Sequence, residues 1–311
     1  MTGPDVCVVG EINLDLILYG LPEELKLERE LLVHDAKLTL GSSSAIFAHN
    51  LSVLGTGVGM VSKVGTDPLG KIALDRLSEA GVDIRHVSNG VTPTSTGLTV
   101  ILAGPDGRYI LTYPGTMFEM SYADLDLDYI FSAGHLHLGS FFLHRALRPR
   151  IADLFREAKA KGLSTSLDTN DDPEDAWGVD LFEVLPHVDV LFVNEREAKR
   201  IARTENLDDA VLRMGTLSKS AVIKMGPLGA VMQKAGNSRR CAAPAVDPVD
   251  TVGAGDSFDA GFIHRFLEGG NDAECLEYAS AAGALSATRA GGTEAFRDRE
   301  GVARFFRERV R

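Results

Sequence analysis

The sequence predicts an α/β fold, with a central, mainly parallel sheet flanked by helices as an αβα sandwich and a small β-sheet lid. Three observations carry this expectation. Apolar runs of strand length alternate with amphipathic segments of helix length along most of the 311 residues, as in successive strand–helix units of a parallel sheet. Two stretches, 12–40 and 94–113, break the alternation with β-rich, polar-alternating sequence and no helix beside it. The last third changes again, into a run of helices.

Taken in order, 6–9, 58–61, 135–138, 165–167, 188–193 and 221–224 are short apolar runs that read as buried strands. Segments 69–80, 149–161, 195–202 and 208–217 carry the spaced apolar residues of helices that cover a sheet. Asp67-Pro68 starts the first of these, an N-cap acceptor followed by proline where a missing N–H costs nothing. Residues 98–102 and 109–111, joined by Gly104-Pro105-Asp106-Gly107, read as a hairpin. Pairing of that hairpin with 12–40 makes a small second sheet, suited to closing over a cleft. Helices are expected at 256–267, 272–289 and 299–310. The chain then forms one domain, 1–311, with a lid made by about 12–40 and 94–113.

Composition narrows the function. The 32 Lys and Arg against 44 Asp and Glu leave a formal charge of −12, the wrong sign for gripping nucleic acid or an anionic membrane by bulk charge. A small anionic ligand needs only a local positive site and is not excluded. No apolar run approaches the ~20 residues of a membrane helix; that at 188–193 is interrupted by Asp189. The start, Met1-Thr2-Gly3-Pro4-Asp5, lacks the basic region of a signal peptide. Cys7, Cys241 and Cys275 form neither a zinc pattern nor a disulfide framework. A cytoplasmic protein with reduced thiols is expected.

Several motifs invite a reading they do not support. Gly65-Thr66-Asp67-Pro68-Leu69-Gly70-Lys71-Ile72 misses a phosphate-binding P-loop, because Ile72 stands where a metal-ligating hydroxyl is needed and Pro68 removes an amide. Gly55-Thr56-Gly57-Val58-Gly59 follows a predicted helix, whereas a dinucleotide turn follows a strand. His135 and His137 share one strand face, yet no third metal ligand stands out, so a cleft-lining or internally satisfied pair is expected. Asp124, Asp126 and Asp128, and likewise Asp171, Asp172, Glu174 and Asp175, read as solvated acidic stretches.

The segment Asp250-Thr251-Val252-Gly253-Ala254-Gly255-Asp256-Ser257-Phe258-Asp259-Ala260-Gly261 carries the chemistry. Gly253-Ala254-Gly255 turns tightly and leaves amides free at the start of a helix, where the positive end of the dipole completes an anion site. Asp256, in the first turn, is misplaced as a phosphate ligand. It suits a general base beside a hole that neutralises a transferring phosphoryl group; the plainer alternative is a helix cap after a glycine turn.

This segment resembles the C-terminal signature of the ribokinase-like, or PfkB, family of carbohydrate kinases. Gly41-Ser42-Ser43-Ser44-Ala45-Ile46-Phe47-Ala48, with Gly55 and Gly65, resembles the family's N-terminal signature, with Ser42 in place of its second glycine and Ile46 in place of its asparagine. Gly10-Glu11-Ile12-Asn13-Leu14-Asp15 resembles the opening strand and loop, Asp168-Thr169-Asn170 an Asp-x-Asn after a central strand, and Asn194-Glu195-Arg196-Glu197 the Asn-x-x-Glu motif. Lys224-Met225-Gly226-Pro227-Leu228-Gly229 and Tyr278-Ala279-Ser280-Ala281-Ala282-Gly283 resemble segments beside the nucleotide. The resemblance covers about residues 5–295.

The resemblance implies a ribokinase-like fold and transfer of the ATP γ-phosphoryl group to a sugar hydroxyl. Asp256 is then the base and Gly253, Ala254 and Gly255 the anion hole. Asp15, Asn13, Gly41, Ser42 and His137 are implied on the sugar side; Asn194, Lys224, Gly226, Thr251, Ser280 and Gly283 on the nucleotide side. Mg2+ is implied near Glu197, through water, and K+ near Asp250, Thr251 and residues 287–292. Lys224 either charges the phosphate site or reaches solvent from a strand end. Acceptors in the family include ribose, fructose, a phosphorylated ketohexose and an acidic sugar such as 2-keto-3-deoxygluconate; Arg108, Arg145 and Arg148 are candidates to receive a phosphosugar. A homodimer through the lid is also implied. A nucleoside kinase of the same fold and a non-catalytic sugar-binding regulator are the competing readings, the second disfavoured by the intact Asp256 and glycine turn.

Overall fold

The computed structural model describes residues 3–89, 93–104 and 107–310. Its strands are β1 (Val6–Val9), β2 (Asn13–Tyr19), β3 (Asp35–Leu40), β4 (Val58–Val64), β5 (Asp83–Asn89), β6 (Gly97–Gly104), β7 (Gly107–Tyr113), β8 (His135–Leu138), β9 (Ser164–Asp168), β10 (Val190–Asn194), β11 (Ser220–Lys224), β12 (Ala230–Lys234) and β13 (Asn237–Cys241). Among the described residues nine strands form one sheet, in the order β13-β12-β11-β10-β9-β8-β1-β4-β5. It is parallel from β5 to β11 and antiparallel at β12 and β13. The central parallel sheet is therefore as the sequence predicts. Strands β5, β12 and β13 extend it at its two ends; β5 and β13 are polar and partly exposed and lack the continuous apolar run of a buried strand, whereas β12 is buried.

The helices are α1 (Ser43–Val53), α2 (Pro68–Ala80), α3 (Leu127–Phe131), α4 (Ile151–Ala160), α5 (Val179–Val184), α6 (Glu195–Ala202), α7 (Leu207–Leu217), α8 (Ala254–Leu267), α9 (Asp272–Ser286) and α10 (Arg299–Arg309). Two cores show how they cover the sheet. Cys7, Val9, Leu191 and Ile223 pack with Leu154, Ile201 and Met214 of α4, α6 and α7. Val6, Val8, Phe192 and Val222 pack on the opposite face with Phe47, Leu77, Phe262 and Leu276 of α1, α2, α8 and α9. Alternate residues of each strand thus feed opposite layers, which is why these strands read as continuous apolar runs. No described helix is long and apolar enough to cross a membrane.

Strands β3, β2, β6 and β7 form a second sheet, with β2 and β6 parallel and the outer pairs antiparallel. The hairpin turn residues Pro105 and Asp106 lie outside the described residues, as do Met1 and Thr2. One face of this sheet carries Asn13, Asp15 and Tyr19 with Thr99 and Thr112, since opposed residues share a face. That face turns to the large sheet: Ile17 and Ile101 pack on Val252, just before α8.

Two helix starts follow from local chemistry. Asp67 caps α2 by accepting from Leu69 and Gly70 N–H, with Pro68 next. Ser42 caps α1, accepting from Ala45 N–H at 3.1 Å, but at φ 70°, ψ 130°, a conformation that favours glycine. Some acidic residues are structural rather than solvated: Asp172 is buried and accepts from the amides of Glu174, Ala176 and Trp177.

Two outcomes test this account by chemical denaturation. Phe262→Ala, which empties a fully buried site against Phe192, lowers stability by about 3–5 kcal/mol. Ser42→Gly relieves backbone strain of about 1–3 kcal/mol while losing only a few tenths of a kcal/mol in capping, so it raises stability; a lower unfolding midpoint would contradict the strain.

Candidate active site

The start of α8 is left open. Gly253 precedes it at φ 72°, and a Cβ there would stand 2.4 Å from the Gly292 Cα, so the close approach requires glycine. No side chain caps the helix, and the amides of Gly253, Gly255 and Asp256 meet no acceptor among the described residues. Ala254 differs from expectation: its N–H turns back to the Thr251 carbonyl at 3.3 Å. Unpaired amides at the N-terminus of a 14-residue helix form a receptor for an anion.

The start of α1 shows the contrast. There Glu11 fills the corresponding place from within the protein: its carboxylate accepts from Ser44 Oγ at 2.7 Å and lies 3.1 Å from His144 Nε2. Burial opposes its charge, but His144 and the hydroxyls of Ser44 and Ser140 hold its pKa down to about 2. One helix end is thus neutralised internally and the other remains available.

Asp256 is partly exposed in the first turn of α8. Burial pushes its carboxyl up to about 6, the nearby Asp168 adds to the rise, and Lys224 and the Ser43 hydroxyl hold it back. Ser43 is itself fixed by Asn170 Nδ2 at 3.1 Å. A base that is mostly ionised at neutral pH yet not strongly acidic is matched to taking a proton from an alcohol in the transition state.

Below the glycine turn, Lys224 Nζ lies 2.9 Å from Asp168 Oδ2 and 2.9 Å from Asp259 Oδ2. It is also 3.3 Å from the position a Cβ would take on Gly255. The lysine side chain is mostly buried, and its charge is met by two carboxylates of the protein. Burial works against its charge, but Asp168 and Asp259 drive its pKa up. Burial and Asp168 push Asp259 well up, whereas Lys224 offsets the burial of Asp168 and keeps it low. The two carboxyls around the lysine are thus pushed in opposite directions, Asp168 down and Asp259 up.

On the lid side, Asp15 is buried against Gly41, where any Cβ would meet its Oδ1 at 2.1 Å. Burial raises its pKa to about 7, with Asp256 and Asp250 adding and Arg108 opposing. Asn13 donates to Thr99 Oγ1 at 2.8 Å and leaves its buried Oδ1 without a partner. Two expected residues do not line the cleft with free polar groups. The Ser42 hydroxyl is committed to Ala45 N–H and to the Glu11 carbonyl at 2.5 Å. His137 is buried, stacked on Phe47 at 3.6 Å and paired with Ser166 at 2.8 Å; with His135, also bonded to Ser166, it is satisfied inside the sheet. Ile46 is likewise buried, its side chain against Gly253 and Gly292. Arg145 lies over Phe118 and near Glu174, and Arg148 pairs with Asp180.

The nucleotide side is mixed. Gly226 opens a short 3-10 helix after β11, at φ 57° with open space around it, and Thr251 is exposed two residues before Gly253. Ser280 is buried with an unpartnered hydroxyl. Gly283 lets α9 approach α8, since a Cβ would meet the Ala254 carbonyl at 3.0 Å. Asn194 and Glu197 form a capping box: Asn194 Oδ1 accepts from Glu197 N–H at 2.9 Å and Glu197 Oε2 from Asn194 N–H at 2.8 Å. Burial and Asp168 raise the Glu197 pKa to about 7. Among the described residues no three acidic, His or Cys side chains gather as a metal cage. Asp250, considered for K+, already accepts from Tyr19, Val252 and Gly291.

Sequence reasoning passed over Asp259, Ser43, Glu11 and Tyr19. Asp259 had a usable signal, a carboxylate one turn after Asp256 on an otherwise apolar helix, which needs a buried cation. The other three had none, because their partners are remote in sequence.

The pfkB family carbohydrate kinase model matches residues 4–299. An ATP-dependent ribose-1-phosphate kinase from Halopiger xanaduensis is 32% identical over 314 residues, covering 98% of both chains. The structure of Arabidopsis thaliana ribokinase complexed with ribose and ATP superposes with a TM-score of 0.82 at 26% identity, over 97% of this chain and 98% of that one. A protein described as a candidate ribokinase II from E. coli, in complex with ATP and Mg2+, shares the fold with a TM-score of 0.86 at 23% identity, over 98% and 99% of the two chains. The chain belongs to the pfkB family of carbohydrate kinases.

Proposed function

We propose that this carbohydrate kinase transfers the γ-phosphoryl group of ATP to a hydroxyl of ribose 1-phosphate or a related pentose. The observation that carries the reading is the open N-terminus of α8, with Asp256 in its first turn and close enough to Asp15 of the lid to help raise the Asp15 pKa. Asp15 and Asn13 hold the sugar hydroxyls, and Asp256 accepts the proton of the attacking one. A bond forms from that oxygen to the γ-phosphorus as the bond to the β–γ bridging oxygen breaks, and ADP leaves. The amides of Gly253, Gly255 and Asp256 receive the negative charge on the transferring group; one such donor is typically worth about 3–4 kcal/mol. Mg2+ fits only as a partner of ATP, because no protein cage exists among the described residues. When bound it neutralises phosphate charge, with Glu197 able to reach it through water. Lys224 acts from beneath, by holding α8 in place.

The acceptor class follows from the relatives' names and from the lid. Arg108 pairs across from Ala103, and Ala103 from Tyr19, so Arg108 shares the cleft face with Asp15 and offers a cation to a sugar phosphate. The nucleoside reading is weaker: Phe47 and Ile46 are both buried and neither presents a surface for a base. The outer lid face exposes Leu38 of β3 and Tyr109, Leu111 and Tyr113, alternate residues of β7, all uncharged, and we propose that a second copy of the chain covers it.

Three outcomes test this function. In a coupled ADP-release assay Asp256→Asn loses about 10^2–10^4-fold in kcat while equilibrium dialysis still detects ATP binding; near-normal turnover would remove Asp256 as the base. A base works ionised, so kcat/KM falls as pH drops through 7 to 6, the range set by Asp15 at about 7 and Asp256 at about 6; a limb near pH 4 would contradict the raised values. In sedimentation the wild type is a dimer and Leu111→Lys a monomer, whereas a monomeric wild type would refute the lid interface.

A further inference from the structure

One carboxylate joins the lid to both loops that build the anion site. Asp250 Oδ2 accepts from the hydroxyl of Tyr19, the last residue of β2, at 2.8 Å and from Gly291 N–H at 3.1 Å. Its Oδ1 accepts from Val252 N–H at 3.0 Å. Val252 is the residue before Gly253, and Gly291 is the residue before Gly292, which packs on Gly253. The two sides of the Gly253 contact are thus tied through Asp250, and the third tie is to the lid. Around it, Ile17, Ile101 and Val252 form a small apolar cluster with Tyr19 against it. A second tie lies nearby: Thr39 of β3 donates to Glu294 Oε1 at 3.1 Å.

We propose that Tyr19 is a positioning residue whose hydroxyl makes seating of the lid and alignment of the Gly253–Asp256 amides a single event. The inference rests on the reading of that turn as the phosphoryl site. An ordinary phenol keeps its proton at neutral pH, so the hydroxyl is the donor to Asp250. With the lid seated, the hydroxyl fixes the Asp250 carboxylate, and the carboxylate fixes the 250–253 and 291–292 backbones. With the lid lifted, Asp250 keeps only amide partners that move with it. The acceptor sugar enters between Asp15 and Asp256 and brings the lid strand down, so water meets a less ordered anion site than the sugar does.

The test is Tyr19→Phe, which keeps the ring and removes one hydrogen bond to a charged group. With ribose 1-phosphate and ATP, kcat falls about tenfold, while KM for ATP and the melting temperature stay near wild type. Tyr122→Phe, which removes a tyrosine–carboxylate hydrogen bond to Glu157 outside the lid and the anion turn, leaves kcat unchanged. Amide hydrogen exchange gives a readout that needs no turnover: the amides of Val252 and Gly291 exchange about tenfold faster in Tyr19→Phe than in wild type. Unchanged exchange at those two amides overturns the proposal, as does a Tyr19→Phe enzyme with wild-type kcat or one altered in KM alone. A wild type without turnover on ribose 1-phosphate or ribose would count against the acceptor reading instead, and the exchange comparison would still decide the role of Tyr19.

Discussion

The contact on which the rest of the site depends is the buried one between Lys224, Asp168 and Asp259. It joins the ends of β11 and β9 to the second turn of α8. Taking a lysine and two carboxyls out of water is expensive, and a cluster of this kind is poor evidence for stability by itself. Its value is directional. Backbone packing of α8 against the sheet through Phe258 and Phe262 would tolerate a small slide or rotation, but the three charged groups tolerate neither. They set the height and rotation of α8, and with it the direction in which Gly255 and Asp256 face.

The same cluster tunes Asp256, the proposed base. Asp168 raises the pKa of Asp256 and Lys224 lowers it, so their opposing effects leave burial as the main cause of the shift. Glu197 shares those neighbours, and its carboxyl is raised too. Four acidic groups, Asp168, Asp256, Asp259 and Glu197, surround one lysine and would repel a phosphate if all were ionised. Burial pushes Asp256, Asp259 and Glu197 up, which weakens that repulsion, and the oriented amides supply the attraction. This is how a chain with a formal charge of −12 can present a site for an anion: the relevant field is local, and it comes mostly from dipoles rather than net charge.

Several residues were legible in sequence because their chemistry is local. The Gly253-Ala254-Gly255-Asp256 turn has its glycines and its helix start within a few positions, and the Asp67-Pro68 cap of α2 is equally self-contained. Asn194-x-x-Glu197 was visible as a motif, yet its geometry is a capping box, a job the spacing alone also explains. Ser42, His137 and Lys224 were placed near the site, but whether each offered a free group depended on partners at Glu11, Ser166, Asp168 and Asp259. Those partners lie between 29 and 56 residues away in sequence, and Lys224, Asp168 and Asp259 meet only when the sheet and α8 assemble.

The sequence by itself determined the layered α/β architecture, because apolar runs of strand length have to be covered on both faces, and it determined the open helix start, because a glycine turn leaves amides unpaired. Tertiary structure alone decided which polar groups remain available to a ligand. A hydroxyl or carboxylate looks the same in sequence whether it faces a cleft or a neighbour, and only packing brings Glu11 to one helix end while leaving the other open, or sets the lid's Tyr19 on Asp250 beside the anion site.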